Sequence, residues 1–119
     1  MATTAPETLA PPVIDYADGV ERFGGDAALF ERFALRYLDD AHYDALMVAL
    51  KRGDLDEAYR EAHALKGVAG TLSLPALYRA AAAEAEALRA RNPTKANAVL
   101  PALTHAHRET VQALSERIA

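Results

Sequence analysis

The chain has 119 residues, of which 51% are hydrophobic, and a formal net charge of −4. This length supports one domain with a core of its own, and the absence of cysteine excludes disulfides, thiolate metal sites and cysteine nucleophiles. The negative charge argues against general nucleic-acid binding, and no apolar run is long enough to span a membrane. The expected location is the cytoplasm.

The apolar residues are mainly those that favour helices. Alanine occurs 28 times and leucine 15 times, whereas valine, isoleucine and threonine together number 15. Alanine and leucine have high helix propensity, and β-branched residues favour strands. The composition therefore predicts an all-α protein.

The first stretch, residues 1–13, is predicted to be a flexible lead. Pro6, Pro11 and Pro12 lie there among small residues, and proline opposes helix formation. The stretch lacks the basic and apolar regions of a signal peptide. The helical domain is accordingly expected to cover residues 14–119.

Two helices and a longer helical stretch are predicted in the first half of the chain. A short helix runs from an N-cap at Asp15 to about Phe23, and Gly24-Gly25 ends it. Asp26 caps the second helix, and Asp39-Asp40 marks either a kink or a new cap. A helical stripe then continues to Gly53. The apolar positions of these segments are Leu29, Phe30, Phe33, Tyr37, Leu38, Tyr43, Leu46, Met47 and Leu50.

Three helices are predicted in the second half. Asp54 with Glu57 has the form of a capping box and opens the fourth helix. Pro75 suits the first position of the fifth, which runs to about Arg91, and Asn92-Pro93 begins the last. Pro101 should kink this last helix or make it start late. The apolar stripes are Leu55, Ala58, Ala62, Leu65, Ala69 and Leu72 in the fourth helix, and Leu100, Leu103, His107, Val111, Leu114 and Ile118 in the last. Short connections between amphipathic helices predict an antiparallel bundle.

Two glycines stand out because they lie in the interior of a predicted helix. Gly19, Gly24, Gly25 and Gly53 are expected where helices start or stop, whereas Gly67 and Gly70 fall inside the fourth helix. Each costs about 1 kcal/mol relative to alanine in a helix interior. On a helical wheel they flank His63, which lies at the shoulder of the apolar stripe, with Lys66 nearby.

This grouping suits a histidine that accepts an anionic group. The neutral imidazole is a nucleophile near neutral pH, and a nearby ammonium favours an anion placed on its nitrogen. Glycine on the next turn lets a partner surface approach closely. Outside this context, each residue also has an ordinary explanation: a surface histidine, a solvated lysine, and glycines that permit close helix packing.

The segment from Ala62 to Gly70, with His63-Ala64-Leu65-Lys66-Gly67 and then Gly70, resembles the signature of histidine-containing phosphotransfer (HPt) domains. The turns at Phe23-Gly24-Gly25-Asp26 and Gly53-Asp54 are also similar to those of the family. The resemblance covers roughly residues 13–118. Ser73 departs from the pattern, since many members have glycine there.

The resemblance implies an all-α fold, an antiparallel four-helix bundle with one or two additional short N-terminal helices. It also implies a phosphoryl carrier in a bacterial two-component His-Asp relay. His63 would be phosphorylated on Nε2, while Lys66, Gly67 and Gly70 would contact the phosphoryl group or the partner. The expected partners are receiver domains of response regulators or hybrid histidine kinases. No cofactor is expected on this chain, and Mg²⁺ would belong to the receiver. The chain would have no kinase or nucleotide site of its own, which leaves open whether it counts as an enzyme.

The alternative is a non-catalytic helical adaptor that binds a receiver-like partner through the same face. A purely structural bundle would leave the two glycines unexplained. A surface shared with a receiver favours a monomer, and Met1 with a short lead favours a free-standing protein over a segment of a hybrid kinase. Of the other histidines, His107 is expected to pack in the core, His105 to be solvated, and His42 to help close the Asp39-Asp40 turn.

Overall fold

The computed structural model describes residues 11–117, and every regular element in that range is helical. The all-α class predicted from composition is therefore confirmed for the described residues. A single 3-10 turn, Arg36–Asp39, lies between the second and third helices. The six α-helices are α1 (Tyr16–Arg22), α2 (Ala27–Leu35), α3 (His42–Arg52), α4 (Leu55–Thr71), α5 (Pro75–Arg89) and α6 (Pro93–Arg117).

Local capping rules explain where four of these helices begin. In each, the side-chain oxygen of the predicted N-cap accepts a hydrogen bond from the backbone N–H three residues later, at 3.0 to 3.2 Å. The four caps are Asp15, Asp26, Asp54 and Asn92. The capping box at Asp54 is only half formed, because the Glu57 carboxylate binds Arg60 at 2.6 Å and the Asp54 N–H donates to the carbonyl of Ala49. The hydrogen bond from the Asp54 N–H to the Glu57 carboxylate, which a complete capping box contains, is therefore not formed, and this part of the prediction is wrong.

Two glycines in the first half of the chain are explained by different features of the structure. Gly53 ends α3 in the left-handed conformation, with φ of 73°, as its predicted place at a helix end requires. Gly19 lies in the middle of α1 and is buried, so its expected place at a helix end is wrong. A Cβ atom at Gly19 would lie 2.3 Å from the Phe30 ring. Close packing of α1 on α2 therefore requires glycine at this position.

The longer helices pack against their neighbours in the chain. α4 contacts both α3 and α5, and α5 also contacts α6. Each of these three pairs is joined by a connection of only two or three residues, so the helices of each pair are antiparallel. α1 contacts α2, while α2 and the 3-10 turn contact α6. The core includes Phe30, Leu46, Leu65, Leu77, Leu103 and Leu114, all fully buried. Leu38 was expected on the apolar stripe but is 36% exposed, because the tighter 3-10 turn rotates it away from the core.

The last helix begins at Pro93 and continues without interruption through Pro101. The predicted alternative of a late start is therefore wrong. Proline removes one hydrogen bond, the one to the carbonyl four residues earlier, which belongs to Asn97. Both Asn97 and Pro101 are exposed, so water can satisfy that carbonyl.

The predicted packing role of His107 is confirmed. Its ring is half-buried and stacks on Tyr43 at 3.8 Å between centroids, and the Tyr37 hydroxyl lies 2.7 Å from Nδ1. Burial lowers the pKa of His107, which favours the neutral ring, and the hydroxyl can then donate to Nδ1. Burial also raises the pKa of Tyr37, so the hydroxyl keeps its proton.

The start of the described range lies against α5. The carbonyl of Pro12 accepts a hydrogen bond from the backbone N–H of Ala76 at 3.1 Å, and Val13 packs against the core. Residues 1–10 of the predicted lead and Ile118 of the predicted last stripe lie outside the described residues. Between residues 11 and 117, no helix has the length and apolar character needed to cross a membrane.

Candidate functional site

The outer face of α4 carries the exposed His63. Ala62, Leu65 and Ala69 on the opposite face are fully buried and fix the helix to the core. The other three histidines, His42, His105 and His107, each have a ring nitrogen in contact with another side chain. Neither ring nitrogen of His63 has a hydrogen-bond partner among the described residues. Both nitrogens of this imidazole therefore face water or an incoming group.

The next turn of α4 leaves the backbone bare beside the imidazole. Gly67 is exposed, and a Cβ atom built on it would meet nothing within 4 Å. Close helix packing therefore does not explain Gly67. At Gly70 a Cβ would lie 3.4 Å from the ring of Tyr78, at the edge of ordinary van der Waals contact. The two glycines thus differ, since only Gly70 lies beneath a neighbouring side chain.

Lys66 lies on the flank of α4 that faces α5. It is half-buried and lines a surface recess of about 450 Å³ together with Gly67, Gly70 and Tyr78. The pKa of Glu86 on α5 is lowered mainly by its hydrogen bond to Arg89, and the positive charge of Lys66 contributes further. The lysine therefore lies three residues after His63 on the same helix and has an acidic neighbour on α5.

A second recess, of about 550 Å³, lies on the opposite flank of α4. Phe33, Arg36 and His42 line it together with Ala64 and Gly67, so Gly67 borders both recesses. The Arg36 guanidinium stacks over the Phe33 ring at 4.3 Å from its centroid. This flank combines aromatic surface with one cation beside the bare turn of α4.

His42 closes the turn that the sequence predicted and also links two helices. Its backbone N–H donates to Oδ1 of Asp40 at 2.8 Å, so the turn at Asp39-Asp40 marks a new helix start. Its ring Nδ1 lies 2.7 Å from the Glu61 carboxylate on α4. This contact was not predicted from the sequence, because the two residues belong to different helices.

Ser73, which departs from the family pattern, lies in the turn after α4. Its φ is 57°, in the left-handed region that favours glycine. The Ser73 hydroxyl donates to Oδ2 of Asp18 at 2.8 Å, and its carbonyl accepts from the N–H of Asp15 at 2.9 Å. Bonds to the α1 region thus hold this strained residue in place.

Tyr59 was not among the predicted site residues. Its ring lies one turn before His63 and stacks on the imidazole, with 5.8 Å between ring centroids and 26° between planes. The spacing of four residues on one helix was a usable sequence signal, because residues i and i+4 share a face.

The structure therefore places the four predicted residues on one helix: Lys66, Gly67 and Gly70 line one recess, and His63 lies exposed on the turn before it. The arrangement combines an exposed imidazole, a lysine on the next turn and open space at Gly67. Within residues 11–117 no group of three or more histidine or acidic side chains could hold a metal ion.

Comparison with known proteins identifies the family. No curated protein and no solved structure matches the chain significantly. The family model described as Hpt domain matches residues 29–117, about three quarters of the chain, and this range contains the whole candidate site. The chain belongs to the Hpt domain family.

Proposed function

We propose that this protein is a phosphotransfer intermediate in which His63 carries a phosphoryl group between the aspartates of receiver domains. Membership of the Hpt family implies histidine phosphotransfer in phosphorelays. The observation that carries the assignment to His63 is its exposure, with both ring nitrogens free of hydrogen bonds to the described residues and an open surface at Gly67. The assignment applies to a bundle domain of residues 14–119, with α3 to α6 as its four main helices.

The proposed reaction is an in-line displacement at phosphorus. The lone pair of Nε2 attacks the aspartyl phosphate of the partner, the new N–P bond forms, and the P–O bond to the aspartate breaks. The carboxylate leaves with the bonding electrons, and the imidazole keeps its proton on Nδ1. The reverse sequence returns the group to a second receiver.

Lys66 and the two glycines support the proposed transfer in different ways. The ammonium of Lys66 would neutralise charge on the phosphoryl oxygens, because charge-assisted hydrogen bonds to anions are strong. The bare backbone at Gly67 would let the loops around a receiver's aspartate reach Nε2. Gly70 would leave the next turn of α4 without a side chain beneath the Tyr78 ring.

The expected partners are receiver domains of response regulators or hybrid histidine kinases, met by a monomer in the cytoplasm. Mg²⁺ would be bound by the receiver and not by this chain. This chain's own residues would supply the nucleophile, one cation and the docking surface. Nucleic acid and membranes are not among the proposed partners.

Incubation with a phosphorylated receiver domain tests the proposal. Label that is acid-labile and alkali-stable should appear on the wild-type chain, and His63→Gln should abolish it while circular dichroism shows unchanged helicity. His105→Gln is the matched control, because His105 is an exposed histidine on α6 with a side chain 73% accessible. This control should accept label like the wild type.

Two results would refute the proposal. Full labelling of His63→Gln would place the acceptor elsewhere. Binding of the receiver without any label on the wild type would instead support the helical adaptor that the sequence left open.

A further inference from the structure

We propose that Tyr59 is a positioning residue for His63, whose ring holds the imidazole plane so that Nε2 points away from the protein. This inference rests on the proposed function and adds a residue to the same site. Tyr59 would touch neither the phosphoryl group nor the receiver's aspartate. Its effect would pass entirely through the imidazole.

The need for such a residue follows from the surroundings of His63. An exposed histidine without hydrogen bonds rotates among several rotamers, and only some of them direct Nε2 towards a partner. The described residues provide no hydrogen bond to either ring nitrogen, and the turn beyond the ring consists partly of glycine. The aromatic stack with Tyr59 is a directional contact that can restrain this ring.

The geometry of the stack suits this role. The nitrogen lone pairs of imidazole lie in the ring plane, so a neighbour that fixes the plane also fixes the directions in which the lone pairs point. Tyr59 lies nearly parallel to the imidazole, with planes 26° apart and 5.8 Å between centroids, which is an offset stack. Such a stack restrains the tilt of the imidazole plane, and Nε2 lies in that plane without a hydrogen bond to the described residues.

Tyr59 is itself held in place by the neighbouring helix. It is half-buried and lines a recess with Leu88 and Arg89 of α5. The pKa of Arg89 is raised mainly by its hydrogen bond to Glu86, and Tyr59 makes a smaller contribution. The tyrosine thus connects the exposed histidine to the packed interface between α4 and α5.

The expected size of the effect follows from the strength of aromatic pairs. Such pairs contribute about 0.5–1.5 kcal/mol beyond buried area, which corresponds to about a two- to tenfold change in the population of the stacked rotamer. Tyr59→Leu keeps an apolar side chain against α5 but removes the ring. Tyr59→Phe keeps the ring and removes only the hydroxyl.

The first measurement uses phosphoramidate as a small phosphoryl donor without a docking surface. The N–P bond to Nε2 forms, the P–N bond of phosphoramidate breaks, and ammonia leaves. We expect Tyr59→Leu to accept the group about two- to tenfold more slowly than the wild type, and Tyr59→Phe to restore the wild-type rate. Equal rates for wild type and Tyr59→Leu would overturn the proposal.

The second measurement is NMR of the unphosphorylated protein, and it keeps the test valid if Tyr59→Leu does not fold. The wild type should show NOEs between the Tyr59 and His63 ring protons and upfield ring-current shifts of the imidazole protons. Absence of both in the folded wild type would overturn the positioning role.

The two proposals fail in different ways. A wild type that takes no phosphoryl group from a receiver or from phosphoramidate would overturn the proposed function, whatever the NOEs show. A wild type that is labelled at His63, with Tyr59→Leu labelled at the same rate, would overturn only the role of Tyr59.

Discussion

Glu84 should make the stability of this protein fall as the pH rises. The residue lies on α5, is fully buried, and neither of its carboxylate oxygens has a hydrogen-bond partner among the described residues. Burial raises its pKa from the ordinary value of 4.5 to about 7. The folded protein therefore keeps the proton at pH values where the unfolded chain has lost it.

The sign and size of the effect follow from this difference. The contribution of the protonated Glu84 carboxyl to the free energy of unfolding is fully present below pH 4.5, its ordinary pKa. This contribution is lost as the pH rises through about 7. A rise of the pKa from 4.5 to about 7 corresponds to about 3 kcal/mol in the free energy of unfolding. This is a large share of the roughly 5–15 kcal/mol that stabilises a typical domain.

Urea unfolding of the wild type and of Glu84→Met at pH 5 and pH 8 measures this effect. Methionine has a similar length and does not titrate, so we expect the variant to gain about 2–3 kcal/mol over the wild type between these pH values. Glu86→Met is the control, because Glu86 is an exposed glutamate on the same helix. Parallel pH profiles for the wild type and Glu84→Met would show that Glu84 is solvated or paired in the fold, contrary to this reasoning.

Three further predictions concern the site and the turn after it. Gly67→Ala should stabilise the protein by up to about 1 kcal/mol in urea unfolding, since alanine has the higher helix propensity and its Cβ meets open space. Gly67→Leu should slow transfer from a phosphorylated receiver, and an unchanged rate would refute the clearance role. Lys66→Ala should reduce transfer or the lifetime of the phosphohistidine, whereas Lys66→Arg should retain much of both; equal values for wild type and Lys66→Ala would remove the lysine from the mechanism. Ser73→Gly should be about 1 kcal/mol more stable than Ser73→Ala in thermal unfolding, because both lose the hydroxyl but only alanine keeps the left-handed strain; equal stabilities would count against that strain.

The helix boundaries could be predicted because they depend on local chemistry. A cap needs only one side chain and the backbone three residues ahead, and both are visible in the sequence. The exceptions involve either a contact between two helices or a choice between two local structures. Gly19 is required by the Phe30 ring of another helix, Leu38 is turned outward by a 3-10 segment, and the bend at Asp39-Asp40 was left open between a kink and a cap.

The candidate site was predictable to a similar extent. His63 and Gly67 stood out because glycine inside a helix is costly, and the open space around Gly67 agrees with that reasoning. The relation between Gly70 and Tyr78, the position of Lys66 beside α5, and the pairing of His42 with Glu61 all join residues from different helices. A helical wheel for α4 alone contains none of these relations.

The two faces of α4 together explain how an exposed histidine can be held firmly on a helix that contains two glycines. Gly67 and Gly70 lower the intrinsic stability of α4 by about 1 kcal/mol each. Full burial of Leu65 contributes about 1.5–3 kcal/mol, which offsets most or all of that loss. Ala62 and Ala69 are fully buried beside it, and such small side chains let the backbone of α4 lie close to its neighbours. Tertiary packing on the inner face therefore permits glycine on the outer face, and the backbone beside His63 stays helical without side chains that would obstruct a partner.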